Sequence, residues 1–338
     1  MNLQENFSLK SFNTFGIDAW CAQFCEIKDL DTLHEVIQSP ELKETPMLIL
    51  GGGSNILFTK NFDGLVIKNS LLGIQKLRED DEHVWVKAGA GEVWHELVLF
   101  CIENNLAGIE NLSLIPGLVG AAPMQNIGAY GVELESVFES LEAINIHTGE
   151  ESFFRKNFCE FGYRESVFKE KLKNKFIITS VTLRLNKKPV FNTSYGAIRE
   201  TLEKMDVIEL SIKAISDAVI AIRSSKLPDP KMIGNAGSFF KNPEVPESIY
   251  QEVKKNFPNV PDYPTAKGMF KIPAGWLIEQ CGWKGKRIGN TGSHKDQALV
   301  LVNYGNATGA EIIDLAMKIK SSVKEKFGID ILPEVNVI

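Results

Sequence analysis

The stretch Ile115-Pro-Gly-Leu-Val-Gly-Ala-Ala-Pro-Met-Gln-Asn-Ile-Gly-Ala-Tyr-Gly131 decides how the rest of the chain is read. It holds Gly117, Gly120, Gly128 and Gly131, together with Ala121, Ala122 and Ala129. That glycine content excludes an ordinary helix or strand. Side chains this small let a flat or extended ligand lie against the backbone. The structural alternative is an Ω-loop closed on itself.

A second glycine-rich segment, Gly51-Gly-Gly-Ser-Asn55, follows the apolar run Pro46–Leu50. Successive N–H groups in such a turn form an anion-binding nest. Ile56 stands where a dinucleotide fingerprint needs its last glycine, and no Gly-Lys-Ser/Thr follows, so neither a Rossmann motif nor a P-loop is present. A plain tight turn is the alternative. Two glycine-rich loops of neither standard type fit a large phosphate-bearing cofactor bound in another way.

Working outward, the first half reads as short strands broken by glycine turns. Leu65–Ile67 and His83–Lys87 are strand patterns. Gly89-Ala-Gly91 leads into a helix with Val93, Leu97, Val98 and Cys101 on one face. Glu142–Ile146 and Glu151–Phe154 flank the turn Thr148-Gly149-Glu150 as a hairpin. Lys175–Leu185 is a β-branched strand. Asn186–Val190 is polar with a proline, and we place a domain boundary there, giving domains 1–188 (core about 15–185) and 189–338.

The second half carries longer helical patterns, from Ser216 and over Glu247–Phe257. Thr308-Gly-Ala-Glu311 is a capping box opening a helix to Phe327, and Gly328 suits a left-handed C-terminal residue. Gln297–Val302 reads as a strand, and the last strand is expected over 330–338, packing on either domain. This half suggests an open α/β layer.

Three further places carry chemistry. Arg164 lies between aromatics in Phe161-Gly-Tyr-Arg-Glu-Ser-Val-Phe168, and a guanidinium clamps a carboxylate through two N–H groups. A surface cation–π or salt-bridge residue is the equal alternative. Ser238, in Gly234-Asn-Ala-Gly-Ser-Phe-Phe-Lys-Asn-Pro243, puts a hydroxyl on a tight turn, but Phe240 excludes a GxSxG hydrolase elbow. Glu334 is either a solvated tail carboxylate or one carried into a cleft by a paired strand.

The chain has 338 residues, 37 Lys+Arg against 43 Asp+Glu, and a formal charge of −6. Length suggests about two domains. An acidic average argues against general nucleic-acid binding. The longest apolar runs fall well short of the ~20 residues a membrane span needs. The start, Met1-Asn-Leu-Gln-Glu-Asn6, has no signal-peptide pattern. The five cysteines are odd in number and widely spaced, which predicts reduced thiols, no disulfide framework and no structural metal, in a cytoplasmic setting.

These blocks, taken in order with Asn13-Thr-Phe-Gly16, resemble the UDP-N-acetylenolpyruvoylglucosamine reductase (MurB) family over essentially the whole chain. The resemblance implies an α+β protein: an FAD-binding domain of the vanillyl-alcohol-oxidase (PCMH) type and a C-terminal α/β substrate-binding domain. It implies non-covalent FAD and NADPH as reductant. Gly51, Gly52, Gly53, Ser54 and Asn55 would hold the diphosphate. Pro116, Gly117, Gly120, Ala121, Ala122, Gln125, Asn126 and Gly128 would line the cofactor.

The substrate implied is UDP-N-acetylglucosamine enolpyruvate, reduced to UDP-N-acetylmuramate by a monomer. Arg164 would bind its carboxylate, Glu334 would steady the enolic intermediate and Ser238 would protonate C2. Tyr195 would close over the UDP part, as in the long-insert subtype. Tyr130, Lys226, Asn242 and Gln297 would contact the nucleotide-sugar. One departure is Ala121-Ala122, where hydroxyl residues are expected; backbone N–H groups there would serve the phosphates instead. A sugar- or alcohol-oxidising flavoenzyme using oxygen and a silent nucleotide-sugar binder are the rival readings.

Overall fold

The computed structural model describes residues 1–338 apart from Asp262, Ala266, Lys267 and the side chain of Glu41. The chain forms two compact units. The first comprises Met1–Phe7, Cys21–Gly52 and Asp63–Ser225; the second comprises Ser8–Trp20, Gly53–Phe62 and Lys226–Ile338. Two short N-terminal segments thus belong to the second unit.

The first unit is built on two sheets. One is antiparallel, in the order Glu151–Arg155, Phe138–Asn145, Phe176–Asn186, His83–Gly89, Ile74–Glu79. Strand alternation sorts its faces. Val84, Val86 and Ala88 turn to a core shared with Leu141, Val181 and Leu183. Lys87 turns the other way and meets Glu142 at 2.6 Å, whose carboxylate also accepts from Ser180 at 2.9 Å.

The helix Trp94–Glu103 lays Trp94, Leu97, Val98 and Cys101 on that core. Val93 differs from the predicted stripe: it is the extended residue before the helix and is exposed, because its backbone bridges to Leu118.

The second sheet runs Gln4–Ser8, Trp20–Ile27, Phe62–Asn69, Met47–Leu50, with the last pair parallel. The helix Leu30–Gln38 covers it with Leu33, Val36 and Ile37, after an N-cap in which Asp29 accepts from the Thr32 N–H at 2.7 Å. A third core joins the helices Gly196–Lys204 and Ile212–Lys226 through Ile198, Leu202, Ile215, Val219 and Ile222. The predicted hairpin is present, with Gly149 at φ 74° in its turn.

The second unit has small sheets: the antiparallel set Arg287–Ile288, Thr291–Ser293, Leu301–Asn303, and the pair Glu244–Pro246 with Met269–Lys271. The expected strand over 297–302 forms only from Leu301, since the preceding residues turn back to give Val300 N–H to Gln297 O at 3.0 Å. The last strand is likewise short. Asn336–Val337 pairs parallel with Ile56–Leu57, inside this same unit.

The helix Gly309–Phe327 has the predicted capping box, with Thr308 and Glu311 bonded reciprocally, and ends at Gly328 with φ 69°. Its start touches the chain closely: a Cβ on Gly309 would lie 1.8 Å from Phe58 O, so only glycine fits. No helix among the described residues is long and apolar enough to cross a membrane.

Candidate active site

In the first unit the two glycine-rich loops lie against each other. A Cβ on Gly52 would sit 3.1 Å from Gly117 Cα, and one on Gly51 would sit 3.8 Å from Ala121 Cβ. Gly120 is packed on Ala90, where an added Cβ would come within 2.5 Å. Gly52, Pro116 and Ala121 remain exposed. The result is an accessible backbone cradle with no bulk on it, which fits an extended phosphate-bearing cofactor.

Four donors expected to face the phosphates are engaged elsewhere. Val119 N–H goes to Glu92 O, Gly120 N–H to Ala90 O, Ala121 N–H to Leu118 O and Ala122 N–H to Val119 O. The expectation that N–H groups at Ala121-Ala122 replace missing hydroxyls is thus corrected: a 3-10 turn over Val119–Ala121 uses them. In the second unit, Gly53 takes φ 62° with its site for a Cβ filled by Phe12 O, and its own carbonyl accepts from Thr14 N–H at 3.0 Å.

Beyond the cradle, the first unit holds several residues in the left-handed region that are not glycine. Asn126 has φ 43°, Tyr130 φ 50° and Arg164 φ 57°. Each costs of order 1 kcal/mol or more, and such residues persist only where the surroundings hold them.

Asn126 shows how. It is fully buried, its Nδ2 donates to Glu133 Oε2 at 2.9 Å and to Gly162 O at 3.2 Å, and its Oδ1 accepts from Glu135 N–H at 2.9 Å. Its side chain therefore joins the 126–135 turn to the loop carrying Arg164.

Arg164 Nη2 donates to Gly128 O at 2.5 Å and Nη1 to Asn126 O at 3.5 Å. Gly162 and Glu165 exchange both backbone bonds at 3.1 Å, closing the turn on which Arg164 sits. The guanidinium is half-buried and stands over the Tyr163 ring at 5.3 Å. An arginine fixed in this way has little side-chain freedom left to lose.

Tyr130 and Gly131 are the two central residues of a hairpin between Gly128–Ala129 and Val132–Glu133, both with positive φ. That matches a type I′ turn. The Tyr130 ring meets Tyr195 edge to face, with centroids 5.3 Å apart at 89°. Tyr195 is exposed and precedes the helix Gly196–Lys204. Pro116, Gly117, Gln125, Gly128, Tyr130, Arg164 and Tyr195 thus all belong to the first unit.

The remaining residues belong to the second. Asn235 caps the turn before Ser238: its Oδ1 accepts from Gly237 N–H at 3.0 Å, and its Nδ2 donates to Ile233 O at 2.8 Å. Gly237 supplies the positive φ, 69°. Ser238 then bridges to Val300, Phe239 N–H donates to Leu299 O, and Phe240 bridges to Pro333.

Glu334 N–H donates to Phe239 O at 2.8 Å. The strand-like pairing that a functional Glu334 requires is therefore present, one residue from Ser238. Both side chains are partly accessible, beside the buried rings of Phe239 and Phe240. Asn55 Nδ2 donates to Glu334 O at 3.4 Å and its carbonyl accepts from Asn336, which ties Asn55 and Ser54 to the C-terminal strand.

Asn242 Oδ1 accepts from Ala274 N–H at 2.9 Å, and a Cβ on Gly275 would lie 3.1 Å from Gln297 Oε1. Asn242 and Gln297 so converge on the start of the helix Ala274–Gln280. Lys226 is exposed at the end of its helix. This unit also has an open depression of about 640 Å³ beside Phe15, Phe58, Gly234 and Asn303, which none of the expected site residues lines.

Two residues missed in the sequence belong with this site. Asn111 is buried and donates from one Nδ2 to Tyr130 O at 3.1 Å and to Asn192 O at 2.9 Å. Arg223 lies on the helix Ile212–Lys226, whose core residues pack with the Tyr130 ring. Neither sits in a motif. The available signal was an arginine in a helix whose neighbours Val219 and Ile222 are core residues.

All five cysteines are free. Burial pushes the Cys101 and Cys159 thiols up to about 12. Among the described residues no cluster of three or more His, Cys, Asp or Glu is placed to hold a metal ion.

Comparison with known proteins agrees with this geometry. Residues 22–152 match the family model described as an FAD binding domain. Residues 229–338 match the C-terminal domain of UDP-N-acetylenolpyruvoylglucosamine reductase. The chain is 55% identical over 338 residues, covering all of both chains, to the UDP-N-acetylenolpyruvoylglucosamine reductase of Amoebophilus asiaticus.

It is 52% identical over the whole of both chains to that of Flavobacterium johnsoniae. It is 45% identical to that of Pseudomonas syringae pv. tomato, over 100% of this chain and 99% of the other. The crystal structure of the Thermus caldophilus MurB enzyme has the same fold, with a TM-score of 0.69, 23% identity and coverage of 100% and 99%. A chain matched from end to end, with an FAD-binding model over its first part and a glycine cradle to fit, belongs to the UDP-N-acetylenolpyruvoylglucosamine reductase family of oxidoreductases.

Proposed function

We propose that this protein reduces the enolpyruvyl group of UDP-N-acetyl-3-O-(1-carboxyvinyl)-glucosamine to give UDP-N-acetylmuramate, with NADPH as the electron source. The net reaction consumes one hydride and one proton and releases NADP⁺. The observation that carries the reading is the set Arg164, Ser238 and Glu334, each held by its own chain in a chain 55% identical throughout to a named reductase.

Bound FAD, non-covalently held, supplies the relay of hydride from NADPH to C3 of the substrate. The residues Gly51, Gly52, Pro116, Gly117, Gly120 and Ala121 of the first unit would hold it, on a backbone cradle that carries no bulk.

Addition at C3 drives charge through C2 into the carboxylate. Arg164, held at Gly128 O, would stabilise that charge with its guanidinium without reorganising. Ser238 gives its hydroxyl proton to C2, and its place on a Gly237-Asn235 turn fixes the hydroxyl's course. A positioned acid of this kind commonly contributes ~10²–10⁴-fold. Glu334, tied by its backbone to Phe239, steadies the enolic intermediate. Tyr130, Tyr195, Lys226, Asn242 and Gln297 bind the nucleotide-sugar.

The reaction serves peptidoglycan precursor synthesis, and with it cell-wall formation, cell shape and division. The enzyme is read as a cytoplasmic monomer that binds no nucleic acid and no membrane.

The test is the visible spectrum of the purified protein under anaerobic conditions. A flavin spectrum bleached by NADPH and restored by the enolpyruvyl UDP-sugar is expected. A colourless protein, or a reduced flavin that only oxygen restores, overturns the reading. Gel filtration against standards checks the monomer.

A further inference from the structure

Tyr130 and Tyr195 stand on separate segments of the first unit, and two asparagine side chains tie those segments together. Tyr130 and Gly131 form the centre of a hairpin whose ladder has two residue pairs, Gly128 with Glu133 and Ala129 with Val132. So short a ladder is marginal by itself. Yet it carries a tyrosine at φ 50°, in a region that residues other than glycine rarely adopt. The support has to come from outside the hairpin.

Asn111 supplies it. This residue is buried in the 3-10 turn Glu110–Leu112. Its Nδ2 donates to Tyr130 O at 3.1 Å and to Asn192 O at 2.9 Å, so one amide group bridges both segments. Asn192 bonds back across the same gap. Its Nδ2 donates to Gly131 O at 3.0 Å, while its Oδ1 accepts from Ser194 N–H at 3.1 Å and from Ser194 Oγ at 2.7 Å. The approach is close, since a Cβ on Gly131 would lie 3.1 Å from Asn192 Nδ2.

The clasp leads directly to Tyr195, the residue after Ser194. Phe191 and Ala197 pack on the core of the helices Gly196–Lys204 and Ile212–Lys226, so the chain is anchored on both sides of that tyrosine. Tyr195 itself is exposed, and its ring meets Tyr130 edge to face at 5.3 Å.

We infer that Asn111 and Asn192 are positioning residues for the reaction, setting the Tyr130–Tyr195 pair before the nucleotide-sugar arrives. The inference rests on the function proposed above, in which these two rings bind that substrate.

A turn asparagine ordinarily bonds its own neighbours. Asn111 instead reaches carbonyls 19 and 81 positions away, and they belong to the two segments that carry the tyrosines. Aromatic pairs have a preferred edge-to-face geometry, which holds only if both backbones are fixed. A pair fixed in advance spares the ligand the cost of ordering it.

Measured on the FAD-loaded enzyme, Asn111→Ala raises KM for the UDP-sugar and the inhibition constant of UDP together, by about tenfold, the scale of leaving two rings to be ordered on binding. The kcat and the rate of flavin reduction at saturating NADPH stay within about threefold, and the flavin spectrum does not change. Asn192→Ala, on partly accessible chain, gives a smaller rise of the same kind. Tyr195→Ala weakens UDP in the wild-type background. It adds less than about twofold to Asn111→Ala, because both substitutions remove the same pair.

A lower melting temperature with unchanged KM and UDP inhibition makes Asn111 a residue of the fold alone and overturns the inference. So do penalties that multiply when Asn111→Ala and Tyr195→Ala are combined. If Asn111→Ala does not fold, Asn192→Ala decides alone, and unaltered UDP inhibition there overturns it. A wild-type enzyme that the UDP-sugar does not reoxidise sinks the proposed function instead, which keeps the two failures apart.

Discussion

The two units hold their functional side chains by different means. In the first, Asn126, Tyr130 and Arg164 take left-handed backbone, and side-chain amides at Asn111, Asn126 and Asn192 keep them there. In the second, main-chain pairing holds both residues, Ser238 through its bridge to Val300 and Glu334 through its N–H to Phe239 O. The first arrangement stores strain and depends on particular side chains. The second depends on the backbone, so its side chains are free to be chosen for chemistry. Substitution should therefore disturb structure and function together in the first unit, and function alone in the second.

The sharpest test of that contrast is Ser238→Ala. It removes a hydroxyl from a partly accessible turn, so melting should be unchanged. Flavin reduction by NADPH should stay near normal, while reoxidation by the UDP-sugar slows by ~10²–10⁴-fold in stopped flow. Normal rates in both half-reactions would remove Ser238 from the mechanism.

Next comes Arg164→Lys, which loses the fork seated on Gly128 O. The loss in kcat/KM should be ~10²–10³-fold, as for other fixed donors to a developing charge. A lysine that restored activity would show that point charge, not geometry, is what matters.

Asn126→Ala tests the strain side of the comparison. It removes the side-chain bonds to Glu133, Gly162 O and Glu135 N–H and should destabilise the protein by about 2 kcal/mol. Denaturant melts would show this, and the activity of the folded fraction should fall as well. A stable, fully active variant would break the claim that amides hold the first unit's site.

Thr308→Ala is the control, far from either device. Losing the capping box should cost about 1 kcal/mol and lower Tm by a few degrees, with both half-reactions intact.

The smallest effect concerns thiols. With pKa values pushed up to about 12, Cys101 and Cys159 carry only about one part in ten thousand thiolate at pH 8. Alkylation of the native protein should reach the partly accessible Cys281 first. Rapid labelling of Cys101 would mean that the first unit opens at its main core.

Much of this was visible in the chain itself. The capping box at Thr308, the hairpin at Gly149 and the stripe Leu97, Val98, Cys101 are local patterns, and each formed. Val93 did not join its stripe, because a bridge to Leu118, distant in sequence, held it extended. The strands at 297–302 and 330–338 were overextended for a related reason. Apolar runs there are buried by turns and bridges rather than by a continuous ladder.

Among the site residues, the glycine cradle and the sequence blocks around Arg164, Ser238 and Glu334 were legible, because glycine, arginine and tight-turn serines announce themselves. Asn111 and Arg223 were not. An asparagine or an arginine acquires its meaning from the partner it meets.

By itself the sequence determined the glycine loops, the helix caps, the strand alternation and the family. These follow from backbone freedom and side-chain period over a few neighbouring residues. Only the tertiary structure decided that residues 8–20 and 53–62 join the C-terminal unit, that Asn126 ties its turn to the loop of Arg164, and that Asn111 pins the Tyr130 carbonyl. Those outcomes depend on which buried donors find which acceptors across tens to hundreds of residues, and burial makes every such pairing obligatory without writing it into any local pattern.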